Sequence, residues 1–438
     1  MTPTQQPPRL IVPDLARGLA LLGIATANAA QAWIVNDYDQ PGGLGWTLGG
    51  VRPGNLPDQV LAVFAAMFVH VRGLPMFSTL LGFGIGLIAA SLYRKHYPPA
   101  AARKVIARRY AFLALFGLAH LFLLFHGDIM VMYGTMGVIV ALLFAQSSKT
   151  LRAIAYTTLA ISALLAILAG VGSLYMEGDL GLHGTPTTGL LTPADYVRDN
   201  VSQAASMLAS VPYGVFSLIG LVLLGYVWAR EGYLVDVDAH RRVLVTWVGV
   251  AAAVVLLLGL PLGLCAIGVL DPAWEGPLYI ANSGLGSFTG PGILAGLALA
   301  ANPVQQRMYR RYEEEGDPSA PAWAYPFVAL GKRSMTGYLA QSVLFIALTM
   351  PFTLGLGLHS SIAGKTGVAV LVWVITLALA TTLEKYGIQG PFESLHRRLS
   401  YGPTKRLEPY SPTTGEPTTG SDAAPAGISP ENRRDRIR

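Results

Sequence analysis

Between Arg108 and Phe144 the chain reads RRYAFLALFGLAHLFLLFHGDIMVMYGTMGVIVALLF. Two apolar spans meet there at a tight polar corner, His126-Gly127-Asp128. One span starts from an arginine pair and carries His120 in its interior; the other carries Tyr133 just past the corner. An imidazole and a carboxylate in a hydrocarbon setting are expensive, so they are functional candidates by default. The stretch predicts a membrane hairpin with a candidate site near its corner.

The rest of the chain agrees. Charged residues make up only 13% of the 438 positions and hydrophobic ones 52%, with a mean hydropathy of +0.47. Soluble domains carry about 25% charged residues, so the deficit places the chain in the membrane class. The formal net charge of +6 fits a nucleic-acid binder in sign. The basic residues, however, sit between the apolar runs, which suits membrane topology and excludes a nucleic-acid partner from the expectation. Cys265 is the sole cysteine, which rules out an intrachain disulfide and a cysteine metal cluster. The first apolar run follows a proline-rich leader without a clear small-residue cleavage site, so it is expected to stay as a span.

In order, spans are predicted at 10–35, from Pro75 to Tyr93, in the two arms of the central hairpin, and at 153–175, 208–229, 243–269, 284–301, 325–350 and 364–385. Residues 58–72 are apolar but short and are read as a re-entrant or interfacial helix. Loops are expected at 36–57, at 177–206 with Glu177, Asp179, Asp195 and Asp199, at 270–283 with Asp271 and Glu275, and at 303–322. Glycines 82, 84 and 86 suit close helix packing rather than a phosphate loop, since no strand precedes them. With the N-terminus in the cytoplasm, every Lys/Arg-rich loop falls inside and every acidic or uncharged one outside. The expected fold is therefore all-α: a polytopic bundle of about ten spans with both termini cytoplasmic. Residues 1–9 are expected to be flexible, 10–401 to form one bundle domain, 390–401 to lie amphipathically on the surface, and 402–438 to be a disordered tail. No internal repeat is evident, which leaves an inverted-repeat transporter without support.

Three constellations carry candidate chemistry. His120 and Asp128 share one hairpin, and a carboxylate beside an imidazole fixes its tautomer and raises its basicity. They are the candidate general base and its helper; a buried histidine bonded only to a backbone carbonyl is the alternative, and His126 is the competing histidine. Arg17, Arg109 and Arg333 lie at the inner ends of spans, where guanidinium forks suit the phosphates of a coenzyme A thioester, although arginines are also ordinary interface residues. In LGKRSMTGYLAQSVLF, residues 330–345, Tyr338, Gln341 and Ser342 share one helical face and either bond neighbouring helices or line a substrate path. Asp14 and Arg17 are spaced to pair, Asn28 falls near the same face, and Glu384 is expected to pair at the interface beside Lys385. No HExxH, paired-histidine or GxSxG pattern appears, so no metal is expected.

The blocks PDLARGLALLGIATAN, FSTLLGFGIG, RRYAFLALFGLAHLFLLFHGDIMVMYGTMG, GKRSMTGYLAQS and GPFESLHRRLSYG together resemble the YeiB-like family of bacterial integral membrane proteins. That family in turn resembles the transmembrane acyltransferase superfamily, which includes the lysosomal enzyme that acetylates heparan glucosamine. The resemblance implies a multi-pass protein of the bacterial inner membrane that moves an acyl group from a cytoplasmic acyl-CoA to a cell-envelope glycan or lipid. Asp14, Arg17, Asn28, Arg109, Asp128, Tyr133, Arg333, Tyr338, Gln341 and Ser342 fall on its blocks. The lysosomal enzyme's histidine follows its first span; the matching stretch here, NAAQAWIVNDYDQPGG, has none, which moves the expected base to His120. Asp14, Asn28, Tyr133, Tyr338, Gln341 and Ser342 are then expected to contact substrate. The expected partners are membrane lipids and the acceptor, with a homodimer left open. A transporter or flippase for a small or lipidic substrate, or a structural partner in an envelope complex, would use the same polar groups differently.

Overall fold

The computed structural model describes residues 8–175, 182 and 184–410, and every regular element among them is helical. The helices are α1 (Ile11–Asn28), α2 (Leu56–Phe68), α3 (Gly73–Arg94), α4 (Pro99–Leu123), α5 (Met130–Leu142), α6 (Ser148–Gly172), α7 (Pro193–Glu231) and α8 (Arg241–Val254). They continue with α9 (Leu260–Ala266), α10 (Glu275–Leu285), α11 (Thr289–Glu315), α12 (Tyr325–Lys332), α13 (Ser334–Thr349), α14 (Ile362–Lys385) and α15 (Pro391–Tyr401).

Among the described residues, seven helical stretches are long and apolar enough to cross a bilayer: 56–94, 99–123, 148–175, 193–231, 241–266, 272–315 and 362–385. The ten-span expectation counts α1, α5 and α12–α13 besides these. The outer surface fits hydrocarbon. On α2, Leu56, Val60, Phe64 and Phe68 form an exposed stripe at every fourth position, and Leu164, Leu168 and Val171 form one at spacings of four and three along α6. A soluble helix would turn such a stripe inward. The chain is a multi-pass membrane protein.

Lipid tails give no hydrophobic drive to helix association, so packing rests on close backbone approach. The α4–α5 pair shows how. A β-carbon at Gly134 would stand 2.4 Å from the Ala114 nitrogen, one at Gly117 2.3 Å from the Val131 nitrogen, and one at Gly137 2.2 Å from the Tyr110 ring. These three glycines let α4 and α5 pack closely on either side of the corner that joins them. Gly82 and Gly86 on α3 do the same against α7, in keeping with the packing role expected of them. Gly331 on α12 meets the Asp14 backbone of α1.

Several boundaries differ from expectation, for one reason: apolarity reports the lipid-facing part of a helix, not its ends. The expected loop at 177–206 gives way to α7 from Pro193, started by a capping box in which Thr192 and Asp195 exchange hydrogen bonds. Glu177 and Asp179 lie outside the described residues. Glu275, expected in a loop, opens α10, and the polar 303–315 segment continues α11. The expected span at 325–350 is broken at Arg333, whose φ of −118° and ψ of 31° leave the helical region. Residues 402–410, expected to belong to a disordered tail, are placed against the bundle: the Tyr410 nitrogen donates to the Lys95 carbonyl (3.0 Å) and Leu407 packs on the core. Residues 1–7 and 411–438, also expected to be flexible, lie outside the described residues.

A buried polar network pins the 34–55 segment. Lys365 of α14 donates to both Asp39 oxygens (2.8 and 2.6 Å), and the pair is 1% and 0% exposed. Glu275 accepts from the Gly45 and Thr47 nitrogens and from the Thr47 hydroxyl. Asp58 takes Arg52 and the Ser361 hydroxyl. Each carboxylate is satisfied several times over, as burial requires.

Candidate functional site

The site is built where α4 ends, the corner turns and α13 crosses. His120 lies 11 residues beyond Arg109 on α4, about 17 Å along the axis at 1.5 Å per residue. Its carbonyl accepts from the Leu124 and Phe125 nitrogens, which closes the helix. Gly127 then lets the chain fold back over the Phe125 ring. Asp128 uses one carboxylate oxygen to take the Val131 nitrogen (2.9 Å), starting α5. Its other oxygen meets His120 Nδ1 at 2.7 Å.

The far imidazole nitrogen, Nε2, is 2.8 Å from the Ser342 hydroxyl, 222 residues away on α13. Asp128, His120 and Ser342 thus form one continuous hydrogen-bonded chain. All three are buried, at 2%, 2% and 3% exposure. With Asp128 ionised, Nδ1 carries the proton and donates to it, leaving the Nε2 lone pair to accept from the serine hydroxyl. That polarity is the one that lets an imidazole take a proton from an alcohol. Such a constellation is recognised by geometry and roles rather than by sequence order.

Neighbouring rings frame it. Tyr338, one turn before Ser342, holds its ring 5.1 Å from the imidazole and donates its hydroxyl to the Gly127 carbonyl (3.2 Å). Phe125 meets His120 edge-on, stacks on Trp33 at 4.3 Å, and lines a recess shared with His126, Tyr196 and Met350. Trp33 also stacks on Phe345, at 5.3 Å. Phe125 therefore lies against the imidazole and against the recess together.

The other candidates divide. Gln341 donates to the Leu21 carbonyl (3.3 Å), tying α13 to α1. Tyr133 turns away from His120; its hydroxyl donates to the Leu74 carbonyl (3.0 Å) and its ring stacks on Phe77. Asn28 sits half-buried where α1 widens into a π turn. Asp14 pairs with Arg17 (3.3 Å) as its spacing predicted, and also with Arg9 (3.6 Å). His126 anchors through its backbone nitrogen to Asn200 (2.7 Å), and burial pushes its imidazole below the usual range.

The three arginines are not joined by any contact among the described residues. Arg109 donates to the Tyr401 hydroxyl (3.0 Å) and lies over that ring, while its Nε finds no partner among the described residues. Arg333 is committed elsewhere: it pairs with Glu384 and donates to the Ile388 carbonyl. Glu384 takes Lys332 and Arg333, not the adjacent Lys385. Lys385 follows it directly along α14, whereas the break at Arg333 carries both other cations to its carboxylate.

Sequence reasoning missed several charged groups. Glu393 of α15 accepts from the Met335 and Thr336 nitrogens (2.8 and 3.0 Å), capping the start of α13. Arg72, 3% exposed, caps the end of α2 through the Met67 and Ala66 carbonyls and reaches Asn282 (3.1 Å). His70 stacks on Tyr279 at 4.1 Å. The cap residue at 393 was readable as an acid near a helix start; its partner helix was not.

The family described as "Protein of unknown function (DUF418)" matches residues 228–403, a range that includes the Arg333 break, Ser342 and α15. The chain is 23% identical over 427 residues to "Uncharacterized protein YxaH" of Bacillus subtilis (strain 168), covering 92% of this chain and 96% of that protein. It is 24% identical over 414 residues to "Uncharacterized protein YeiB" of Escherichia coli (strain K12), covering 90% and 96%. The chain is similar to both of these proteins over nearly its whole length. His120 and Asp128, which precede the DUF418 range, therefore lie in the same aligned body as Ser342.

Proposed function

We propose that this protein is a membrane-embedded acyltransferase. The observation that carries the reading is the Asp128–His120–Ser342 chain, with Nδ1 held by a carboxylate and Nε2 facing a hydroxyl. A general base needs a free lone pair aimed at the proton it removes, within about 2.6–3.2 Å, and a partner that stabilises the imidazolium once formed. The distances suit this role, with Nε2 turned to the Ser342 hydroxyl and Nδ1 to Asp128, inside a buried setting where electrostatic interactions are strong. In this reading the N-terminus and the basic ends of α3 and α4 face the cytoplasm of a bacterial cell, across its inner membrane. The donor is an acyl-CoA whose phosphates rest on Arg17 and Arg109 at that face. Arg333, being saturated by Glu384 and Ile388, fixes the α12–α13 break instead of touching the donor. The acceptor is a hydroxyl or amine of an envelope glycan or lipid, approaching through the recess beyond Phe125.

A transporter for a small or lipidic substrate draws on the helix breaks at Arg333 and at 69–72, since interrupted spans also build transport sites. In that case the Asp128–His120 pair would relay protons rather than activate a hydroxyl. Release of free thiol from acetyl-CoA or palmitoyl-CoA by the purified protein separates the two. The acyltransferase releases thiol when acceptor-containing membrane extract is present, and His120→Ala lowers the rate by about 10²–10⁴-fold. Equal rates in both proteins would remove His120 from the chemistry.

A further inference from the structure

Resting on the acyltransferase reading, we infer that Ser342 is the covalent carrier of the acyl group, so that transfer proceeds in two half-reactions. A base that served only an incoming acceptor would need an open Nε2. Here Nε2 is already engaged by a side chain of the protein itself, at 2.8 Å, in a site 3% exposed or less. Ser342 lies nine residues beyond the Arg333 break, about 14 Å along α13, and so sits within the span rather than at either end. Phe125 packs edge-on against His120 and also lines the recess. A centre this enclosed holds one substrate more readily than two at once. A serine ester lets the donor leave before the acceptor arrives.

The steps balance as follows. Ser342 Oγ attacks the carbonyl carbon of an acyl thioester while its proton moves to His120 Nε2. The C–O bond forms, the C–S bond breaks, and the proton passes from Nε2 to the departing thiolate. In the second half an acceptor hydroxyl or amine attacks the ester and gives its proton to Nε2. The acceptor's bond to carbon forms as the C–Oγ bond breaks, and the proton returns to Ser342. Asp128 remains ionised throughout and stabilises the imidazolium. Tyr338 lies beside the same imidazole, and its single O–H would have to leave the Gly127 carbonyl to meet the developing oxyanion.

The test uses the full chain in lipid nanodiscs and two probes: an alkyl fluorophosphonate, which reacts with activated serines whatever the donor, and ¹⁴C-labelled acyl-CoA without acceptor. Peptide mass spectrometry should find both adducts on Ser342, the acyl adduct cleaved by hydroxylamine. Both should be lost in His120→Ala and Ser342→Ala, and Ser342→Cys should regain a hydroxylamine-sensitive acyl adduct. Absence of either adduct at Ser342 in a wild-type protein that transfers acyl groups overturns the carrier while leaving the acyltransferase reading in place. A fluorophosphonate adduct at Ser342 with no turnover of any acyl-CoA keeps the nucleophile and overturns the donor. Full transfer by Ser342→Ala overturns the carrier directly. Should Ser342→Ala fail to fold, the wild-type adducts still decide.

Discussion

At the scale of single residues, Asp128 does two jobs at once. One oxygen caps α5 through the Val131 nitrogen and the other fixes His120 Nδ1. Asp128→Asn keeps the shape and most of the cap, but its amide can present an N–H to Nδ1 and favour the opposite tautomer. Nε2 would then carry the proton and could no longer take one. We expect a fall in transfer rate of about 10³–10⁴-fold with little change in thermal midpoint, read by initial rates beside a melting curve. The two polar groups of the hairpin were legible in the sequence because they sit eight residues apart across one corner. Their meeting with Ser342 was not, because nothing local joins positions 222 apart. Ser342 was visible only as a polar residue on the Tyr338–Gln341 face. Arg333 shows the same limit: the sequence offers an arginine at a span end, which suits a phosphate, and leaves its partner Glu384 on α14 unseen.

At the scale of elements, α15 acts as a clasp. Glu393 caps α13, and His396 Nε2 bonds the Arg109 carbonyl of α4 at 2.8 Å, so one short helix touches both helices that carry the site. Its amphipathic character was legible; its dock was not. Burial, with the Arg109 and Arg397 guanidiniums beside it, pushes His396 down to about 4 from the usual 6.5. The neutral ring donates to the carbonyl, and protonation favours the undocked state. His396 therefore adds stability that is fully present above about pH 6.5 and is lost as pH falls toward 4, by at most ~3 kcal/mol. Hydrogen exchange of α15 amides should accelerate between pH 6.5 and 4 beyond the change in intrinsic rate, and a His396→Gln variant should lose that excess. Unchanged α15 protection in the wild type across this window would show that His396 does not hold the clasp. Helix boundaries were the poorest reading for a related reason: α7 and α11 run past the apolar segments, and caps such as Thr192 with Asp195 set their ends.

At the scale of the whole molecule, long apolar runs separated by basic loops made a helical membrane bundle legible from composition alone. What joins its parts was hidden. The Asp39–Lys365 pair and Glu275 with Thr47 tie a long connection to distant helices, and such pairings leave no periodic trace in a chain. The result is a molecule with basic loops between its helices, a buried hydrogen-bonded chain of side chains, and an aromatic-lined recess beside it. If that layout serves transfer, the two substrates need never share a compartment. The most direct test seals labelled acyl-CoA on the side of oriented proteoliposomes that carries the basic ends of α3 and α4, and supplies a membrane-impermeant glycan acceptor on the other. The account predicts labelled acceptor outside, free thiol inside, and neither with His120→Ala. Thiol release inside with the label confined to that side, or label outside undiminished by His120→Ala, would contradict it.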